Sequence, residues 1–153
     1  MRRVHESHAL LTRALLGLLA FGAISALVGG ALGVVVNGAG VPLEYLEATP
    51  FDSYVIPGLI LGVVVGGTQG FAAISTQRRR SYGLLAAAVA GFGMTIWIFV
   101  EVTITGYSWL QVVFLGLGIG EIALVLLLLG ILHPSRTWSD PRPGARSPGK
   151  APR

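Results

Sequence analysis

Four long apolar stretches divide this chain so that every basic residue falls in a segment on the same side of them. The stretches run over Ala14–Val36, Tyr54–Ser75, Gly83–Ile104 and Leu110–Leu132. Each is close to the ~20 residues a helix needs to cross ~30 Å of hydrocarbon. All eleven Lys and Arg residues lie outside them, in the N-terminal segment (Arg2, Arg3, Arg13), the second connection (Arg78, Arg79, Arg80) and the C-terminal tail (Arg136, Arg142, Arg146, Lys150, Arg153). The first connection, Asn37–Ser53, has no basic residue and carries Glu44, Glu47 and Asp52; the third, Thr105–Trp109, is short and uncharged. Cytoplasmic connections retain positive charge. The pattern therefore predicts an all-α membrane protein: a four-transmembrane-helix bundle with both termini cytoplasmic.

Composition agrees with one membrane domain and tails. Mean hydropathy is +0.73 and 12% of the 153 residues are charged, too apolar for an ordinary soluble globule. The calculated pI near 10.1 would suggest nucleic acid in a soluble protein. Here the basic residues flank membrane spans, so topology and anionic lipid account for them and no nucleic-acid partner is expected. The excess of Arg over Lys, with spans rich in Ala, Gly and Val, is a bias that GC-rich bacterial genomes tend to write, and on that hint a bacterial cytoplasmic (inner) membrane is expected.

Several chemistries are excluded. With no cysteine there is no disulfide, thiolate metal site or thiol redox relay. His5, His8 and His133 all lie outside the four stretches, which excludes a haem held by paired histidines within the bilayer. His5 and His8 have metal-pair spacing, but a closed site normally needs four ligands and no others are near, so a solvated segment is expected. Gly116, Gly118 and Gly120 lie inside an apolar helix and follow no strand, so they are no dinucleotide fingerprint. No nucleophile–base pair or phosphate loop occurs. Neither enzyme activity nor a cofactor is expected.

Along the chain, Arg2 and Arg3 before an apolar run resemble a secretory signal. The run is longer than a signal core and lacks a clear cleavage region, which predicts a retained first span. Leu43, Tyr45 and Leu46 in the first connection suit either a helical turn lying in the interface or an irregular loop. Asp52 or Ser53 is the expected N-cap of span 2, with Pro57 tolerated in its first turn. Tyr107 and Trp109 suit an interfacial aromatic belt. The domain is expected to close near His133, and the Pro/Arg-rich tail over 134–153 to be disordered and cytoplasmic.

The sharpest internal pattern is Gly58, Gly62, Gly66 and Gly70, recurring every four residues along one face of span 2. In lipid, close backbone approach through small residues is a principal source of helix association. Span 1 offers Ala26, Gly29, Gly30 and Gly33 as a matching surface, and span 3 offers Gly83, Ala87 and Gly91. A smooth conduit or lipid groove is the functional alternative, and self-association into a homo-oligomer is a further use of such faces.

Glu121 is the residue most expected to carry any function. It lies about eleven residues into span 4, near the bilayer midplane, where a bare carboxylate costs several kcal/mol. It should face the bundle interior and be protonated or paired. Ser25, Thr95 or a backbone carbonyl are its expected hydrogen-bond partners; the functional reading is a proton-exchanging or substrate-contacting acid. Glu101 sits about one turn inside the outer boundary of span 3, some 12 Å shallower at 1.5 Å per residue, too far for a shared-proton dyad. With Gln111 near the entrance and Gln69 in the inner third of span 2, the two acids would mark a polar path, or else four separate interhelical hydrogen bonds. Arg78, Arg79 and Arg80 set topology and could contact anionic lipid head groups.

The lead-in to span 2 (Thr49-Pro50-Phe51 to Ile56-Pro57-Gly58), the Trp97 to Glu101 stretch and the Trp109-Leu110-Gln111 opening of span 4 resemble a family of small, uncharacterised four-helix membrane proteins of actinobacteria. The resemblance covers residues 14–132. It implies the four-span topology and assigns no activity.

Overall fold

The computed structural model describes residues 2–47 and 49–131. The expected disordered tail, His133 and the last residue assigned to span 4, Leu132, lie outside the described residues. Within them the chain is all-helical, and four helices are long and apolar enough to cross a membrane. They are α1 (Arg2–Val35), α2 (Val55–Gln77), α3 (Gly83–Thr105) and α4 (Trp109–Leu128).

The helices run up, down, up and down. α1 packs against α2 and α4, and so does α3, which leaves α2 and α4 facing each other across the diagonal. Arg13 and the Arg78–Arg80 turn lie at one end of the bundle; Glu44, Glu47 and Asp52 lie at the other. The outward faces are apolar, with Phe21, Ile24, Val63, Leu85, Phe92, Ile96, Phe99 and Ile119 all exposed. Such faces are matched to lipid tails rather than water. Tyr107 and Trp109 are exposed at the turn into α4.

α1 begins about a dozen residues before the expected Ala14. Hydropathy marks only the membrane-embedded part of a helix. The preceding residues include neither Gly nor Pro, so nothing in them stops the helix from continuing. Its apolar part belongs to the core, with Leu15, Leu19, Ala23 and Ala26 buried.

α2 is not a uniform α-helix. Its α-helical ends, Val55–Leu59 and Gly67–Gln77, flank a π-helical stretch over Ile60–Gly66. Its N-cap is Tyr54, with no side-chain cap bond, rather than Asp52 or Ser53. Asn37, in the left-handed region at φ 45°, accepts from the Tyr54 amide at 2.8 Å through Oδ1. Tyr54 Oη donates to the Pro42 carbonyl at 2.8 Å, and Gly38 lies flat against the Tyr54 ring. A side chain thus ties both halves of the outer loop to the head of α2. The loop holds a 3₁₀ turn over Leu43–Leu46, of which Leu46 is buried while Leu43 and Tyr45 stay exposed.

The other helix ends have local explanations. Ser108 and Gln111 form a capping box at the start of α4, with the Ser108 amide donating to Gln111 Oε1 at 2.7 Å. α4 ends in a Schellman motif, Ile131 N to Leu126 O and Gly130 N to Leu127 O, both 3.1 Å, with Gly130 at φ 75° as this motif favours. α2 ends in the same motif, Arg80 N to Ser75 O and Arg79 N to Thr76 O, both 3.0 Å. There the left-handed position is held by Arg79, at φ 51°, which costs about 1 kcal/mol relative to glycine.

Candidate polar site in the bundle

The α1–α2 contact is built by glycines. Gly58 lies against Gly30 and Gly33, Gly62 against Gly30, Gly66 against Leu27, and Gly70 near Ala23. All four therefore face α1, and that face is covered within one chain. The approach is closest in the outer half: a Cβ on Gly30 would stand 2.6 Å from backbone atoms of Gly58 and Gly62, and one on Gly58 would stand 2.9 Å from the Gly30 carbonyl oxygen. A Cβ on Gly62 would stand at an ordinary 3.5 Å. A second close crossing joins α3 to α4, where Gly91 and Gly118 lie back to back. A Cβ on Gly118 would stand 2.8 Å from Thr95 Oγ1 and 3.0 Å from the Gly91 carbonyl oxygen. Gly83 and Ala87, expected with Gly91 to face span 2, lie against the Thr76 backbone and in the inner core respectively.

These crossings leave a small polar node at the bundle centre. Gln69 and Glu121 are both 0% exposed. Gln69 Nε2 donates to Glu121 Oε2 at 2.9 Å and reaches the Ala90 carbonyl oxygen of α3 at 3.5 Å. On its other side the Gln69 amide rests on Gly22 of α1, where a Cβ would stand 3.1 Å from it. Each helix thus supplies one element: a gap, an amide, a carbonyl and a carboxyl. Gln69 Oε1 and Glu121 Oε1 are buried and accept no hydrogen bond from the described residues. A carboxylic acid and a primary amide each offer a donor and an acceptor on one edge, so a neutral Glu121 carries the donor that these oxygens lack.

The partner of Glu121 is thus Gln69, not Ser25 or Thr95. Thr95 Oγ1 donates instead to the Gly91 carbonyl of its own helix at 2.9 Å, and Ser25 lines a cavity nearer the outer end. Gln69 lies fourteen residues after the start of α2 and Glu121 twelve after the start of α4, an offset of about 3 Å at 1.5 Å per residue. The wide, compressed π turn above Gln69 reduces that offset further.

Apolar layers close the node on both sides. One turn outward lie Ala26, Val65, Met94 and Leu117, with Trp97 and Phe114 packed on them. One turn inward lie Leu19, Ala72, Ala87 and Val125. The stacked rings of Phe21 and Phe114, 6.2 Å apart, join α1 to α4 beside the outer layer.

No protein-family model, curated protein or solved structure matches the chain.

The remaining polar residues gather in a second, separate place. A cavity of about 470 Å³ opens in the outer half between the four helices, lined by Ser25, Leu61, Trp97, Glu101, Gln111 and Phe114 among others. A neighbouring cavity of about 350 Å³ shares Trp97 and Glu101 and reaches Tyr54 and Gly58. Glu101 is half-buried on its wall. Gln111 is 4% exposed and spends its Oε1 on the capping box. The expected path from Glu101 through Glu121 to Gln69 is therefore interrupted by the Met94–Leu117 layer. Among the described residues no group of three metal-ligating side chains occurs.

Two contributors carried no recognised signal in the sequence. Gly22 stands one four-residue step before Ala26 and Gly30, just beyond the surface read on span 1, and Gly118 sits in a glycine-rich run that suggests only a failed nucleotide motif. Matching each glycine to a bulky or polar residue at its depth on a neighbouring span would have paired Gly22 with Gln69.

Proposed function

We propose that this is a small multi-pass protein of a bacterial cytoplasmic membrane, both termini inside, with a structural or accessory role and no catalysis of its own. The observation that carries this reading is the sealing of Glu121. The acid most expected to exchange protons or touch a substrate is 0% exposed, bonded to Gln69, and on the wall of none of the cavities described above. A neutral acid–amide pair between two apolar layers acts as interhelical glue, which hydrogen bonds inside a bilayer supply.

The test is labelling of native membranes with a hydrophobic carbodiimide across pH, with the modified residue assigned by mass spectrometry. Glu121 is expected to stay unlabelled at every pH. Labelling of Glu121 that falls as pH rises would replace this reading with a minimal proton-coupled transporter.

The outer cavity favours a second reading, a lipid- or quinone-binding membrane subunit. Its walls combine Trp97, Phe114 and Met94 with the polar groups of Ser25, Glu101 and Gln111, the mixture of apolar lining and few polar groups that small-molecule sites show. Organic extraction of the purified protein followed by mass spectrometry would reveal a retained lipid or quinone. Ser25→Phe, which fills the cavity, should abolish its retention.

A further inference from the structure

At the opposite end of the bundle a third cavity, of about 570 Å³, opens where α1, the α2–α3 turn and α4 meet. Its rim carries His8 and Arg13 from α1 and Arg79 and Arg80 from the turn; among the described residues no carboxylate lines it. Its floor is Leu16, Leu84 and Leu128. Three guanidinium groups above an aliphatic floor, where the apolar part of α1 begins, match one kind of molecule in both charge and polarity. Arg78, which belongs to the same basic run, is not on this wall.

Arg79 adds an independent observation. It occupies the left-handed position of a Schellman motif, where glycine is the favoured residue. An arginine there works against the cap it completes, and what it brings is a guanidinium at the cavity rim. Backbone strain retained in this way clusters where a ligand is clamped.

We propose that this cavity is a binding site for one anionic phospholipid of the adjoining leaflet. Arg13, Arg79 and Arg80 hold its phosphate, and an acyl chain lies over Leu16, Leu84 and Leu128. Arginine forks suit phosphate oxygens through paired charge-assisted hydrogen bonds. The floor selects a lipid over a free phosphate, since an aqueous anion would leave those leucines uncovered. The site depends on the membrane-spanning reading and on neither account of Glu121 or the outer cavity.

The experiment is a thermal unfolding titration of the purified full chain in an uncharged detergent. The additives are dioleoyl phosphatidylglycerol, dioleoyl phosphatidylcholine and inorganic phosphate. Phosphatidylglycerol is expected to raise the midpoint saturably, while phosphatidylcholine and inorganic phosphate leave it unchanged. Removing one rim arginine should weaken the apparent lipid affinity about fivefold, the worth of one basic residue at a lipid surface. Arg79→Gly is the decisive variant: without lipid it should be at least as stable as the parent, because the cap prefers glycine, yet it should lose that fivefold. Arg78→Gln should bind as the parent does. Equal stabilisation by both lipids, an unchanged affinity in Arg79→Gly, or an equal loss in Arg78→Gln would overturn the site. Stabilisation by inorganic phosphate alone would reassign it to a soluble anion.

Discussion

Gln69 and Glu121 meet at 2.9 Å although they belong to helices that do not pack against each other. α2 and α4 occupy opposite corners of the bundle, and at the level of the node the extended side chains of Gln69 and Glu121 span the gap between them. The contact therefore fixes the rotation of both helices about their axes, which an apolar filling of the same volume would leave less defined. Gly22 makes the reach feasible by giving the amide a flat surface on α1.

That geometry predicts unequal effects of substitution at the pair. Glu121→Leu removes the acceptor and leaves a buried amide unmatched, at a cost of about 1–3 kcal/mol. Gln69→Leu should cost a similar amount. Replacing both should cost clearly less than the sum, because no orphaned group remains. Glu121→Gln keeps a donor and an acceptor at the site and should stay near the parent. Unfolding of all four variants in mixed micelles gives the coupling energy. A double variant whose loss equals the sum of the singles would mean that the two side chains act independently.

Glycine substitutions along the α1–α2 contact should grade with the room available. Gly30→Ala and Gly58→Ala drive a methyl group to 2.6 Å and 2.9 Å from facing backbone, which cannot yield as a side chain can. Overpacking of this kind costs about 1–3 kcal/mol. Gly62→Ala and Gly70→Ala meet their nearest neighbours at 3.5 Å and 4.0 Å and should fall within about 0.5 kcal/mol of the parent. Thermal midpoints in detergent rank the four, and a larger loss at Gly62 than at Gly30 would contradict the placement of the crossing.

The outer loop should depend on one hydroxyl. Tyr54→Phe keeps the ring against Gly38 and removes the donor to the Pro42 carbonyl, a loss of about 1 kcal/mol. The effect should be local: amide exchange should quicken over residues 38–47 while the amides around Gln69 keep their protection. Uniformly faster exchange throughout the bundle would show that the loop clip supports the whole fold.

The four spans and the small-residue face of span 2 were legible because each follows from a one-dimensional pattern: run length, charge placement and spacing. The polar node was not. Its partners lie fifty-two residues apart, and pairing them from depth alone needs the register of two helices to better than one turn. A straight α-helix over Ile60–Gly66 places Gln69 further inward than the π-helical backbone found there does. A run of Val, Leu, Ile and Gly has no side-chain feature that announces the wider turn. The N-cap at Tyr54 escaped for a related reason, since Asn37 acts from the far side of the loop and local capping rules look only at neighbours. Depth alone sets Glu101 apart from Glu121, but the cavity beside Glu101 arises from packing of four helices and has no linear signature.

The outer apolar layer should govern access to Glu121. Met94 and Leu117 are 2% and 8% exposed and stand between the central node and the cavity that holds Glu101. In the parent, a hydrophobic carbodiimide entering that cavity should modify Glu101 and leave Glu121 intact. Truncating the layer by Met94→Ala removes several heavy atoms from a site flanked by Ala26, which has little to fill the space. Such a change destabilises by about 2–5 kcal/mol and leaves a residual void. The void joins the cavity to the node, so Glu121 should become reactive in Met94→Ala and stay unreactive in Val89→Ala, which alters an exposed, lipid-facing residue. Unchanged protection of Glu121 in Met94→Ala, with the protein still folded, would mean that the node is closed by the Gln69 contact itself rather than by the layer above it.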